Sequence, residues 1–199
     1  PIYEILVASH AGKCIRFSEN DVRATGRDTT GVRSMMIDED DSVVDMTVVK
    51  SGYDVLTLSE HGFGKRSDIE DYRLQSRGGK GIKAGVFNEK TGNLACLKLV
   101  KDDEDIMIIA DNGIIIRTAA TGISKIGRDT KGVTIMKLGD AIVKSVAVVP
   151  HAEEEPEGEE TDGEEVVVEG AEGEENAENT AAETADNAAN ETTDNGDEE

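Results

Sequence analysis

The stretch ILVASHAGKCIRFSENDVRATGRDTTGVRSMMI, residues 5–37, decides the fold because closely similar stretches follow it twice. The second copy, VLTLSEHGFGKRSDIEDYRLQSRGGKGIKAGVF, begins at Val55, and the third, IMIIADNGIIIRTAATGISKIGRDTKGVTIMKL, begins at Ile106. The three copies align without a gap and start 50 and then 51 residues apart. A repeat of this length is typical of propellers, solenoids and related arrays.

Each repeat contains four short apolar runs that are rich in Val and Ile and are separated by turn residues. In the first repeat these runs are 5–8, 13–17, 32–37 and 43–49. Such runs favour β-strands, and no long stretch shows the apolar period of a helix. A glycine between the first two runs supplies the positive φ angle of a tight hairpin. These glycines are Gly12, Gly62 and Gly113. We therefore expect an all-β fold of about three four-stranded, propeller-like blades over residues 1–150.

Three blades are too few for a closed ring, since propellers usually contain about four to eight. We expect further blades to precede residue 1, because the chain opens directly on the apolar run 2–8, as a fragment would. The absence of Trp excludes the Trp-Asp signature of WD40 propellers. A single Gly-Gly pair, at Gly78 and Gly79, argues against kelch repeats.

The formal net charge of −22 is concentrated in the C-terminal segment 151–199. This segment holds 21 of the 43 acidic residues and none of the 21 basic ones, so residues 1–150 are nearly neutral. Its only bulky apolar run is 166–168, which is too little to offset chain entropy, and its like charges repel one another. We predict a disordered acidic tail, either a solubilising appendage or a competitor of an acidic ligand.

Cysteine usage and the remaining polar clusters favour a cytosolic protein without a cofactor. Cys14 and Cys96 lie in apolar runs without CxxC spacing, as buried reduced thiols do. No signal peptide and no apolar stretch of about 20 residues is present, so we expect no membrane partner. The acidic runs 38–41 and 102–105 lack the Gly and closing Glu of an EF-hand, and the three His residues do not align. We expect no metal site and no catalytic residue in this part of the chain.

Basic residues recur at the same positions of successive repeats. One row is Arg16, Arg66 and Arg117; a second is Arg27, Arg77 and Arg128; partial rows are Arg23 with Arg73, Lys80 with Lys131, and Arg33 with Lys83. Equivalent positions of neighbouring blades lie side by side on the rim of a radial array, so these rows predict a curved basic stripe. Duplex DNA is a suitable ligand for such a stripe. Neutralising its phosphates releases counterions, and this release favours binding whatever the base sequence. The scarcity of aromatic residues disfavours a single-strand binder. The alternative is a solvated face whose charges nearby carboxylates balance.

Three stretches carry a resemblance to a known family: FSENDVRATGRDTTGVRSM, GFGKRSDIEDYRLQSRGGKGI and DNGIIIRTAATGISKIGRDTKGV. They resemble, in the same order, the last blades of the C-terminal domain of the DNA gyrase A protein. The resemblance covers nearly all of residues 1–150, and an acidic tail fits the same family. It implies a β-pinwheel, in which neighbouring blades exchange strands and the rim bends duplex DNA. It also implies an ATP-dependent type IIA topoisomerase that introduces negative supercoils in the bacterial cytoplasm, at the nucleoid. The implied partners are the rest of a gyrase A homodimer and the gyrase B protein.

The resemblance has limits that leave alternatives open. The motif QSRGGKG at 75–81 looks like the family's box, but the box belongs to the first blade and has Arg where this chain has Ser76. We interpret it as a related blade loop. The family's strand-cleaving Tyr follows an Arg, whereas the tyrosines here follow Ile2, Gly52 and Asp71, so we expect this segment to lack the catalytic Tyr and the ATPase site. The alternatives are the equivalent domain of topoisomerase IV and a propeller-like scaffold that binds acidic proteins.

Overall fold

The computed structural model describes residues 2–151 and shows an all-β architecture, as predicted. Regular structure in this range consists of eleven β-strands and three one-turn 3-10 helices, at Glu19–Asp21, Ile69–Asp71 and Ala120–Gly122. The strands are β1 (Glu4–Ser9), β2 (Lys13–Ser18), β3 (Val43–Val48), β4 (Asp54–Ser59), β5 (Phe63–Asp68), β6 (Ile82–Lys83), β7 (Leu94–Val100), β8 (Glu104–Ala110), β9 (Ile115–Ala119), β10 (Val133–Thr134) and β11 (Val143–Pro150). The predicted disordered tail lies outside the described residues, apart from His151.

The strands form three antiparallel sheets, one for each repeat, and the repeats exchange strands. The first sheet has the order β3-β1-β2-β6, the second β10-β5-β4-β7 and the third β11-β8-β9. Since β6 belongs to the second repeat and β10 to the third, each of these two repeats gives its short strand to the preceding blade. This exchange is what the resemblance to a β-pinwheel implied.

Strand exchange adds detail to the predicted fold of about three four-stranded blades. Two blades have four strands, and the third has three within the described residues. The third apolar run of each repeat is also shorter than predicted: it forms only Ile82–Lys83 and Val133–Thr134, and the equivalent segment of the first repeat forms no strand.

The apolar core lies between blades as well as within them. Leu6 and Cys14 of the first repeat pack in one buried cluster with Tyr72 and Leu97 of the second. A second cluster joins the second and third repeats in the same way, with Leu56 and Leu58 against Ile106, Ile108 and Ile123. Each fully buried aliphatic side chain contributes roughly 1.5–3 kcal/mol to stability, so these clusters hold neighbouring blades together.

The inner and outer edges of the blades follow from the strand order. The closing strands β3, β7 and β11 contact one another in sequence and form the inner side. The exchanged strands β6 and β10 lie at the opposite, outer edge.

Both cysteines are free and buried, as predicted, and burial raises the pKa of each thiol to about 12. No helix in residues 2–151 is long and apolar enough to cross a membrane.

Candidate nucleic-acid interface

Three equivalent loops at the outer edge carry most of the predicted cations. These outer loops are residues 22–31, 72–81 and 123–132, and each connects a 3-10 helix to the segment that is exchanged. The loops end in Gly31, Gly81 and Gly132, whose φ angles are +79°, +72° and +81°. A Cβ atom at Gly81 would overlap the carbonyl oxygen of Cys14, and one at Gly132 would overlap that of Gly64. Glycine is therefore required where the loop crosses onto the preceding blade.

Seven of the twelve predicted DNA-binding residues are exposed, and their side chains make no hydrogen bond or ion pair within the described part of the chain. They are Arg23, Arg27, Arg33, Arg73, Lys80, Lys83 and Lys131. All seven lie in the outer loops or within two residues of them. Their charges are free for a ligand, because no carboxylate of residues 2–151 neutralises them by direct contact.

Two further predicted residues, Arg77 and Arg128, tie the second and third outer loops to the preceding repeat. Arg77 donates from Nε to the carbonyl oxygen of Asp21 at 2.9 Å and from a terminal nitrogen to that of Arg33. Arg128 makes the equivalent bonds one repeat later, to the carbonyl oxygens of Asp71 at 3.2 Å and of Lys83. A guanidinium has five N–H donors, so both side chains keep donors for an anion.

The row Arg16, Arg66 and Arg117 occupies a different place from the one that its recurrence suggested. The side chains of Arg16 and Arg66 are only 10% and 9% exposed, which removes them from the rim surface. Their positions on β2 and β5 face the next repeat, so their guanidinium groups are used inside the protein. Arg117 on β9 is 44% exposed and is held by Asp105 at 2.8 Å.

The partners of the two buried arginines explain why the row recurs. Arg16 pairs with Glu4 at 2.6 Å and donates to the carbonyl oxygens of Ile69 and Tyr72, at 2.9 and 3.1 Å. Arg66 similarly donates to the carbonyl oxygen of Ile123 at 3.0 Å and pairs with two carboxylates. These bonds cap the 3-10 turn of the next repeat, so the row stabilises blade boundaries.

Lys65 is a site residue that sequence reasoning missed. It is 2% exposed, and its ammonium donates to the carbonyl oxygens of Gly127 at 3.2 Å, Arg128 and Thr130 at 2.8 Å. Burial, together with the charge of Arg128, lowers the pKa of Lys65 to about 8. The Lys65 side chain therefore holds the third outer loop in place through these bonds to its backbone carbonyls. The available signal was a Lys at a repeat position where the other two repeats have Ile.

Comparison with known proteins gives one match for each repeat. The family model of the DNA gyrase C-terminal domain, described as a β-propeller, matches residues 3–50, 53–95 and 104–150. The chain belongs to this family. The DNA gyrase A protein of Staphylococcus aureus strain MRSA252 is 41% identical over 162 residues, which are 79% of this chain and 18% of that protein. The gyrase A protein of Staphylococcus epidermidis strain ATCC 12228 is 42% identical over 149 residues, 73% of this chain and 17% of that protein. The chain thus spans less than a fifth of these relatives.

Solved structures agree with the family assignment. A DNA gyrase A C-terminal domain superimposes with a TM-score of 0.70 at 28% identity and covers 74% of this chain and 51% of its own. The C-terminal domain of a DNA topoisomerase IV gives the same TM-score at 19% identity, with 74% and 46% coverage, and supports the fold alone. The predicted resemblance to the gyrase family is confirmed.

The box-like motif at 75–81 lies in the second outer loop. Residues 75–81 occupy the same position in the repeat as GRDTTG and GRDTKG, which supports their interpretation as a blade loop. The loop rests on the first repeat through backbone bonds from Gly78 to the carbonyl of Ser34 and from Met36 to the carbonyl of Gly79, both 2.8 Å. It therefore presents Arg77 and Lys80 from a fixed backbone.

Proposed function

We propose that residues 1–150 bind the backbone of duplex DNA without sequence preference and bend it along the outer loops. In this proposal the chain is a C-terminal part of a DNA gyrase A protein, working in the bacterial cytoplasm at the nucleoid with the rest of a gyrase A homodimer and with the gyrase B protein. The observation that carries the proposal is the set of seven exposed, unpaired cations on equivalent loops.

The arrangement suits a phosphate backbone better than a base edge. Phosphate contacts position a duplex but carry no sequence information, and Arg, Lys and loop backbone N–H groups are their usual donors. Successive outer loops are linked through the segment between them, since Val86 donates to the carbonyl of Thr130 as Met36 does to Gly79. The cations thus form one surface that runs from blade to blade, and a duplex following it must bend.

DNA wrapping is a function that a domain can perform without catalytic residues. A duplex held along a curved rim crosses itself with a fixed hand, and that crossing is what a strand-passing enzyme needs to introduce negative supercoils. In this proposal cleavage and ATP hydrolysis belong to other parts of the assembly. No cluster of three or more metal-binding side chains occurs in the described residues.

A direct test measures binding of the full chain to labelled short duplexes of unrelated sequence, to a single strand and to polyglutamate. We expect similar affinities for all duplexes, with a steep loss as salt rises, and weaker binding of the single strand. Ligation of a nicked plasmid in the presence of the chain should shift its linking number. Binding to polyglutamate without binding to duplexes would favour the protein-interaction scaffold instead. Duplex binding without a linking-number shift would retain DNA binding but refute wrapping.

A further inference from the structure

The second and third outer loops are fastened to the preceding repeat by different groups. In the second loop, the backbone N–H of Gly78 donates to the carbonyl of Ser34 at 2.8 Å. Asp129 stands at the position of Gly78 in the third loop, and its N–H makes no backbone bond to the second repeat in residues 2–151. The third loop is instead bonded to the side chain of Lys65, which stands on β5 where β2 has Ile15. A charged side chain therefore does at the third loop what the backbone does at the second.

The ammonium of Lys65 bonds to four acceptors of the third loop. Its Nζ donates to the carbonyl oxygens of Gly127 at 3.2 Å, of Arg128, and of Thr130 at 2.8 Å, and to the Thr130 hydroxyl at 3.2 Å. A protonated lysine has three N–H donors, and its charge makes these bonds roughly twice as strong as neutral ones. A neutral amine has only two N–H donors and no charge. Loss of one proton therefore loosens the loop on both sides of Arg128.

The surroundings of Lys65 decide at which pH this proton is lost. The charged and titratable groups that face its ammonium are Arg128 and Asp129 of the third outer loop, Asp71 of the second 3-10 turn and Cys14 on β2. Burial and the charge of Arg128 lower the pKa of Lys65 to about 8, whereas burial raises the pKa of the Cys14 thiol to about 12. Arg128 keeps its charge, because a guanidinium does not lose its proton in proteins. Around pH 8 the charge of Lys65 therefore changes while those of Arg128 and Cys14 do not.

We propose that Lys65 is a positioning residue of the DNA interface, whose protonated ammonium holds the third outer loop so that Arg128 and Lys131 meet phosphates, and that duplex binding is coupled to proton uptake by Lys65. The inference rests on the proposed DNA-binding function. A phosphate bound by Arg128 or Lys131 offsets positive charge that repels the ammonium, so it favours protonated Lys65. Because such coupling is reciprocal, protonation of Lys65 favours phosphate binding by the same factor.

The first test measures duplex affinity of the full chain against pH at constant salt. If one phosphate contact depends on protonated Lys65, the affinity at about 0.1 M salt should fall between about pH 7 and pH 9.5 by up to about 8-fold more than that of Lys65→Met. The free energy of unfolding should rise with pH above about 8, because the unfolded chain binds the extra proton, so unfolding does not produce the fall. Lys50→Met is the matched control: it removes an exposed lysine outside the outer loops and should keep the full fall.

The second test measures the proton directly and needs no variant. Calorimetric titration of the chain with duplex at about pH 8, in two buffers of different ionisation enthalpy, gives the number of protons taken up on binding. The unaltered chain should take up a fraction of one proton per bound duplex, and Lys65→Met should take up less. Binding without proton uptake by the unaltered chain overturns the inference.

The third test asks whether Lys65 acts through the third loop. Lys131→Ala alone should weaken duplex binding about 8-fold at about 0.1 M salt, but it should cost little more in a chain that already carries Lys65→Met. Lys80→Ala, the equivalent change in the second loop, should cost about 8-fold in both backgrounds. Additive losses for Lys65→Met and Lys131→Ala overturn the inference. An unaltered chain that binds no duplex at any pH refutes the proposed function itself.

Discussion

Neutralising three exposed cations of the outer loops should weaken duplex binding without weakening the fold. The perturbation is the triple variant Arg73→Ala/Lys80→Ala/Lys131→Ala. None of these side chains makes a hydrogen bond or an ion pair in residues 2–151. Surface substitutions of this kind usually change the free energy of unfolding by less than about 0.5 kcal/mol each.

The expected loss follows from counterion release. Each phosphate contact contributes about 0.9 to the slope of log K against log salt concentration, so three lost contacts should reduce the slope by about 2.7. At about 0.1 M salt the same relation gives about 0.9 log unit, roughly 1.2 kcal/mol, for each contact. The triple variant should therefore bind about 500-fold more weakly at that salt concentration. The difference should shrink as salt rises.

Fluorescence anisotropy titrations with one labelled duplex across a salt series measure both quantities. The matched control is Lys50→Ala/Lys90→Ala/Lys144→Ala, which removes the same charge from exposed residues outside the outer loops. We expect this control to keep most of the slope. Equal losses in the two triple variants would refute a localised interface, because overall charge alone would then set the affinity.

Three further predictions concern stability, pH and the tail. Arg66→Ala should cost about 1–3 kcal/mol in urea unfolding, because the carbonyl of Ile123 loses its guanidinium donor while Asp54 keeps Lys125 as an ion-pair partner at 2.7 Å, whereas Arg73→Ala should be nearly neutral; equal stabilities would contradict the structural role of Arg66. The pKa of Lys65 is about 8 in the fold and 10.5 ordinarily, so the unfolded chain binds the extra proton between these values and stability should rise with pH there, by up to about 3 kcal/mol. The Lys65→Met variant should lack that rise. If the free energy of unfolding of the variant changes with pH as that of the unaltered protein does, the prediction is wrong. Deleting residues 151–199 should tighten DNA binding most at low salt, and a scrambled tail of equal charge should restore the original affinity. Equal affinity at low salt with and without the tail would leave it as a solubilising appendage.

Local sequence patterns predicted the strands and hairpins well because each depends on neighbouring residues. The turn glycine Gly12 has a φ angle of +82°, and its counterparts Gly62 and Gly113 have +77° and +84°. The first, second and fourth apolar runs of each repeat all form strands close to the predicted bounds. Alternation and turn chemistry act within a few residues, so one repeat is enough to show them.

Local patterns could not predict which blade the third apolar run of a repeat joins. Residues 82–83 are extended whether they pair with their own blade or with the preceding one. What decides the outcome is the contact between Gly81 and the carbonyl of Cys14, residues that are 67 positions apart in the chain. Only the resemblance to a family that exchanges strands pointed to the observed pairing.

Recurrence of charge has two physical origins here, and the sequence does not separate them. Arg16 and Arg66 recur because every boundary needs donors for the carbonyls of the next 3-10 turn, whereas Arg73 and Lys80 lie in an exposed loop. Strand position was the usable clue. The side chain of an Arg in the middle of a strand with a buried face needs hydrogen-bond acceptors inside the protein. Lys65 shows the same rule.

The loop arginines connect the blade boundaries to the proposed DNA interface. Arg77 and Arg128 each hold an outer loop against the preceding repeat, and the loops so held present Lys80 and Lys131. Arg27 has no preceding repeat within the described residues, so the first outer loop lacks this anchor. Since ordering a loop before DNA arrives removes an entropic cost of binding, Arg77→Ala should weaken duplex binding by more than the loss of one phosphate contact accounts for.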